Sequence, residues 1–251
     1  MNSSPQNPVI VYLDAIDSTN NYAANLLKQT KVVNGTIILT KRQENGKGQR
    51  GTTWQSEPEK NLICSTIIFP HIGVKEVFTL NLITSLAVVD LLSDEGISNI
   101  GLKWPNDVYV GHKKIAGILI ETQLAGPAIK SAIIGLGLNV NQEKFYGSFE
   151  PTSMILERGF ATNIDRLVKS YWEKLRFYIE LYDTAGRESI LERYYKQLIG
   201  YKRIQQFEDE SGPFEGEIIG VDQFGHLCIR KNDGHNYTYQ IKEVKQIRPA
   251  V

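Results

Sequence analysis

The sequence predicts an α+β protein: a mixed, largely antiparallel sheet with flanking helices, followed by a small C-terminal β-barrel. Three observations predict it. Early strand-like runs, VIVYL and TIILT, flank a segment with helical character. Four strand-like runs between about 100 and 138 are joined by short turns, which favours an antiparallel meander over βαβ crossovers. Beyond Gly200 the texture changes to short alternating runs with turns at ESGP, DQFG and NDG.

Taken in order, MNSSPQNP is polar, without an apolar core, and is expected to be a disordered tail over 1–8. A first domain is expected over 9–200. Val9–Leu13 reads as a strand of β-branched and aromatic residues, and Asp17, Ser18 and Thr19 offer N-caps to the helix that follows. TIILT after Gly35 is a second strand, 43–61 a Gly-bearing loop, and Leu62–Phe69 a third strand. Apolar residues at helical spacing (Phe78, Leu82, Leu86, Val89), with further apolar positions around them, predict a largely buried helix ending near Gly96. Ile164, Leu167, Tyr171, Leu175, Tyr178 and Tyr182 mark a second helix, and a third covers about 187–199. Residues 201–251 are expected to be a separate β-barrel domain.

Lys plus Arg and Asp plus Glu balance at 28 each, which argues against a general nucleic-acid binder. Any bound anion must then be held by locally clustered cations. The two cysteines, Cys64 and Cys228, sit in apolar runs and read as buried free thiols, and no metal-ligand spacing appears. No apolar run is long enough for a bilayer, so a cytoplasmic protein that does not engage membranes is expected.

Four segments carry polar chemistry. Arg42–Trp54 (RQENGKGQRGTTW) places Lys47 and Arg50 among glycines 46, 48 and 51, whose backbone can approach an anion closely; Trp54 adds a flat stacking face. It is not a Walker A loop. Lys103–Asp107 (KWPND) is turn chemistry beside a cation. In KKIAGILIE, strict alternation puts Lys114, Ala116 and Ile118 on one strand face and Ile115, Gly117 and Leu119 on the other. GLGLNV ends in Asn139, a polar group at a strand end. Each segment alone is also what an ordinary loop, hairpin or strand end would show.

Their order and spacing together are more specific. DSTN, Q-x-x-G-[KR]-G-x-x-G-x-x-W, KWPND, K-[IL]-AGIL-[IV]-E and G-x-G-x-N, over about residues 9–140, resemble the biotin protein ligase family. The resemblance implies a class II synthetase-like sheet and a C-terminal SH3-like barrel. It implies ATP and biotin as substrates, with Mg²⁺ alongside ATP, and a biotin carboxyl carrier protein as partner. A homodimer is an assembly it allows. By the same resemblance, Ser18, Thr19 and Asn20 match the triplet that hydrogen-bonds the ureido ring. Gln43, Lys47, Gly48, Gln49 and Lys114 match further biotin contacts, and Gly46, Arg50, Trp54 and Asn139 match the ATP side. Lys114 and Lys47 would stabilise phosphoryl charge, and Asp107 is the candidate base for the acceptor amine. The family usually has arginine where this chain has Lys47, and often a second where it has Gln49. Lysine cannot form a bidentate fork, so Arg50 or Lys41 would have to supply the missing charge. Lipoate or octanoate ligases and transferases resemble the same fold and are the alternative. The pattern starts by residue 10, so no DNA-binding module is expected ahead of it.

Overall fold

The computed structural model describes residues 5–146 and 150–247, with the Arg50 side chain also outside the description. The elements run β1 (Ile10–Ile16), α1 (Thr19–Gln29), β2 (Thr36–Gln43), β3 (Leu62–Ile68), α2 (Thr79–Asp94), β4 (Ile100–Lys103), β5 (Asp107–Val110), β6 (Lys113–Ala125), β7 (Ala128–Leu138), α3 (Met154–Arg158) and α4 (Ile164–Gln197). Then come β8 (Ile204–Asp209), β9 (Gly212–Val221), β10 (Leu227–Lys231), β11 (Asn236–Tyr239) and β12 (Lys245–Ile247). The first sheet has the order β1-β2-β3-β7-β6-β5-β4, and the second β11-β10-β9-β8-β12. β4 to β7 form the expected antiparallel meander. β1 and β2 pair in parallel because α1 crosses between them. The α+β architecture expected from sequence is the one observed.

One face of the first sheet packs on α2 and α4. Leu62, Cys64, Ile134, Leu136 and Leu138 alternate onto that face and join Leu80, Leu82, Ile83, Leu86 and Val89 of α2 in one buried cluster. α2 is apolar nearly all round because it is sandwiched between the sheet and α4. It ends as expected: Gly96 has φ +81°, and Ile97 N–H closes the turn onto Leu92 O at 3.0 Å. α4 replaces the two helices expected over 164–182 and 187–199. It is continuous except at Gly186, whose φ of 75° and ψ of −179° put a break within the gap expected between them. On the opposite sheet face α1 covers β2, β3 and part of β7 through Ala23, Ile38, Ile67 and Ile133. The rest of that face, over β7, β6 and β5, is left open for a site.

The core does not stop at the second sheet, since Phe207, Ile218, Leu227 and Ile229 belong to the same buried cluster as α2. Of the tail expected over 1–8, residues 1–4 lie outside the described residues, and Pro5 O accepts a hydrogen bond from Trp172 Nε1 (3.1 Å). Residues 248–251 of the expected barrel also lie outside them. Cys64 is buried, and burial pushes its thiol up to about 12, which makes it an inert core residue; Cys228 is only half-buried. Among the described residues no helix is long and apolar enough to cross a membrane.

Candidate active site

A cavity of about 1160 Å³ lies between the open face of the first sheet and the second sheet. Its floor is made of glycines. Gly117 on β6 pairs with Gly137 on β7, and Gly135 pairs with Leu119. Steps of two residues along β7 return to the same face, so Gly135, Gly137 and Asn139 line the floor in sequence, at roughly 7 Å per step.

The strand phase here differs from strict alternation. Val108 pairs with Ala116, but Tyr109 pairs with Lys114, so Ile115 is an extra residue in β6. Ile115 and Ala116 are both buried in the core. The bulge turns Lys114 onto the face of Gly117: a Cβ on Gly117 would stand 3.4 Å from Lys114 Nζ. The expected grouping of Lys114 with Ala116 and Ile118 is therefore corrected. Lys114 is held by backbone on both sides, from its N–H to Glu150 O (3.1 Å) and from Thr152 N–H to its carbonyl (2.9 Å). Its Nζ lies 2.6 Å from Asp107 Oδ1 and 5.5 Å from the Trp54 ring centre.

At the Gly135 end, the helix start of α1 meets β2 and β3. Thr19 N–H donates to Gln43 Oε1 (2.9 Å), and Asn20 Nδ2 donates to Glu121 Oε2 (2.8 Å). Ser65 Oγ lies 2.7 Å from Thr19 Oγ1 and 2.6 Å from Asn20 Oδ1. Ser18, Thr19, Asn20 and Ser65 are all buried. Ser65 was missed by sequence reasoning because it sits in the apolar run LICSTIIF with no motif around it. At the other end, Asn139 Nδ2 donates to Thr152 O (2.9 Å), while its buried Oδ1 has no partner.

The loop after β2 folds back as a small hairpin. Gly48 N–H donates to Thr52 O (2.7 Å) and Trp54 N–H to Gly46 O (2.9 Å). It delivers Trp54 onto the floor, where a Cβ on Gly117 would stand 3.0 Å from Cζ3 and one on Gly137 would fall inside the indole. Trp54 Nε1 is buried without a partner. Lys47 Nζ reaches Asn21 Oδ1 (2.5 Å), and Asn21 Nδ2 in turn donates to Asp17 Oδ2 (2.6 Å), a bond that holds the Asp17 carboxyl below its usual range. Gly48 and Gln49 line the cavity, whereas Gly46 is buried behind it against Gln43. Lys41 does not supply charge here: it pairs with Asp14 at 2.9 Å and does not line the cavity.

Among the described residues the cavity lining holds five lysines (Lys47, Lys103, Lys114, Lys242 and Lys245) against two acids, Asp107 and Glu57. This local cationic excess in a neutral chain suits an anionic ligand. Trp104 Nε1 donates to Gly225 O (2.8 Å), which ties KWPND to the loop after β9. Among the described residues no group of three or more His, Cys, Asp or Glu could hold a metal ion.

Residues 12–139, half of the chain, match the model of the Biotin/lipoate A/B protein ligase family. The chain is 30% identical over 226 residues to the bifunctional ligase/repressor BirA of Escherichia coli K12, covering 89% of this chain and 70% of that one. It is 32% identical over 138 residues to the biotin–[acetyl-CoA-carboxylase] ligase of Paracoccus denitrificans, covering 54% and 56%. Its fold is similar to that of the biotin protein ligase from Aquifex aeolicus in complex with biotin and ATP, with a TM-score of 0.78 and 24% identity over 96% of this chain and 99% of that one. A family match over half the chain, together with a relative of which it covers more than two thirds, decides the matter: this chain belongs to the biotin/lipoate A/B protein ligase family.

Proposed function

We propose that the protein is an ATP-dependent biotin protein ligase that makes biotinyl-5′-AMP and transfers biotin to a lysine of a biotin carboxyl carrier protein in the cytoplasm. The observation that carries this reading is Lys114. The bulge at Ile115 sets its ammonium over the glycine floor, between the Thr19–Gln43 cluster and Asn139. A carboxylate and an α-phosphate brought together there would share one cation. The biotin carboxylate oxygen attacks the α-phosphorus, the bond to the β-phosphate oxygen breaks, and pyrophosphate leaves. Charge grows on the phosphoryl oxygens, and Lys114 and Lys47 oppose it. The unpartnered Asn139 Oδ1 suits an adenine amine, and the Trp54 face and Nε1 suit a ring and an acceptor. Ser18, Thr19, Asn20, Gln43, Gly48 and Gln49 would contact biotin, and Arg50 the phosphates. Mg²⁺ belongs to this reading as a companion of the ATP phosphates. Among the described residues no cluster of His, Cys, Asp or Glu forms a protein cage for it.

In the second step the neutral amine of the carrier lysine attacks the acyl carbon, the acyl–oxygen bond breaks and AMP leaves. At an ordinary pKa of about 10.4 only roughly one such amine in a thousand is neutral near pH 7.4, so a proton acceptor is needed. Asp107 fills that role once an anion draws Lys114 away from it. The relatives' names favour biotin over lipoate. The test is pyrophosphate release with biotin, lipoate or octanoate as sole acid: release with biotin alone supports the reading, and release with lipoate or octanoate alone overturns it.

A further inference from the structure

The ureido end of the cavity is lined by Thr19 and Asn20, and beside Gln43 and Leu119 O their orientation is set by two residues that do not touch the cavity, Glu121 and Ser65. The polarity of the cluster follows from proton counting. A carboxylate accepts and does not donate, so Asn20 turns its NH₂ to Glu121 (2.8 Å), with Leu119 O a longer second acceptor (3.5 Å), and its carbonyl oxygen then faces Ser65 (2.6 Å). That oxygen also only accepts, so the single Ser65 hydroxyl proton is spent on it. Ser65 Oγ, 2.7 Å from Thr19 Oγ1, is left to receive the Thr19 proton. The competing acceptor, Gln43 Oε1, is farther at 3.3 Å and already takes Thr19 N–H at 2.9 Å. Thr19 Oγ1 therefore presents lone pairs, and no proton, to the cavity.

We propose that Glu121 is a positioning residue for ligand recognition: through Asn20 and Ser65 it holds the Thr19 hydroxyl as an acceptor matched to a ureido N–H. The proposal rests on the biotin reading above. Gly135 takes part by its size, because a Cβ there would stand 2.5 Å from Asn20 Oδ1 and unseat the amide. A neutral amide at 121 removes the decision. Its own NH₂ can donate to Asn20 Oδ1; Asn20 then flips its NH₂ from Leu119 O to Ser65, Ser65 donates to Thr19, and the Thr19 proton is released to be shared between Gln43 Oε1 (3.3 Å) and the cavity, where it meets the ligand donor against donor.

The experiment uses the full chain and follows pyrophosphate release together with calorimetric binding of biotin and of a ureido N-methyl biotin. Glu121→Gln is expected to raise KM for biotin about tenfold or more with kcat unchanged, and to shrink the preference for biotin over the N-methyl analogue. Glu121→Asp, which still only accepts, restores wild-type behaviour. Ser65→Ala cuts the relay on its other side and reproduces the KM effect. A wild-type KM and preference in Glu121→Gln or Ser65→Ala, with wild type adenylating biotin, overturns the relay alone. Failure of the wild type to adenylate biotin overturns the ligase reading and the relay with it.

Discussion

Lys114 Nζ stands 2.6 Å from Asp107 Oδ1, and the two side chains are 28% and 23% exposed. A pair this open adds no more than about 1 kcal/mol to stability. In the proposed reaction the pair brings a cation and a carboxylate to one point of the floor. Lys114→Ala is expected to lower pyrophosphate release about 100-fold or more, as removal of a positioned charge does, while moving Tm little. Equal release by variant and wild type refutes the role.

Gly137 and Trp54 share space that admits no Cβ. Gly137→Ala should push the indole off the floor, at an overpacking cost of about 1–3 kcal/mol. Binding of biotin and ATP, measured by calorimetry, should weaken accordingly. Undiminished affinity with unchanged Trp54 fluorescence would show that the glycine floor is not what seats the ring.

The Gln43–Trp54 loop closes mostly on itself. Among the described residues it is tied to the rest of the chain by Glu44 N–H to Ile16 O (2.9 Å), Asn45 N–H to Asp17 O (2.8 Å) and Lys47 Nζ to Asn21 Oδ1 (2.5 Å). Ordering its backbone costs roughly 1–2 kcal/mol per residue, which an anion bound by Lys47 and glycine N–H groups can offset. Amide exchange over 43–54 is therefore expected to slow markedly with a non-hydrolysable adenylate analogue. Strong, equal protection with and without it would mean that the loop is preformed.

Glu95 closes the end of α2 onto Arg158 (2.8 Å) and Arg166 (2.7 Å), with Glu95 and Arg158 only 8% and 7% exposed. Burial alone would raise its carboxyl, but the two guanidinium groups outweigh burial and hold it below the usual 4.5. The stability this contributes is fully present above 4.5 and is lost as pH falls through the lower folded-state value. Glu95→Gln should cost about 3–5 kcal/mol at pH 7, because it leaves Arg158 buried without a counter-charge. It should also flatten the acid side of the Tm-versus-pH curve. A variant with the wild-type curve contradicts this.

What could be read from sequence was what local periodicity and turn chemistry control. The buried α2, its Gly96 stop, the break at Gly186 and the meander all follow from spacing over a few residues. Spacing fails where tertiary contacts override it. Period-two alternation cannot foresee the extra residue at Ile115, which is what places Lys114 in the cavity. Spacing alone leaves Lys41 available for phosphate, whereas the fold pairs it with Asp14, 27 positions earlier in the chain. Ser65 and Glu121 gain meaning only because Asn20 lies between them across three separate elements.

The central claim is transfer of biotin to protein, and labelling of a carrier tests it most directly. The protein is incubated with ATP, Mg²⁺, radiolabelled biotin and an apo biotin carrier domain. The account predicts label on the carrier that depends on ATP and on the acceptor lysine. An unlabelled carrier, beside an active control ligase under the same conditions, would contradict it.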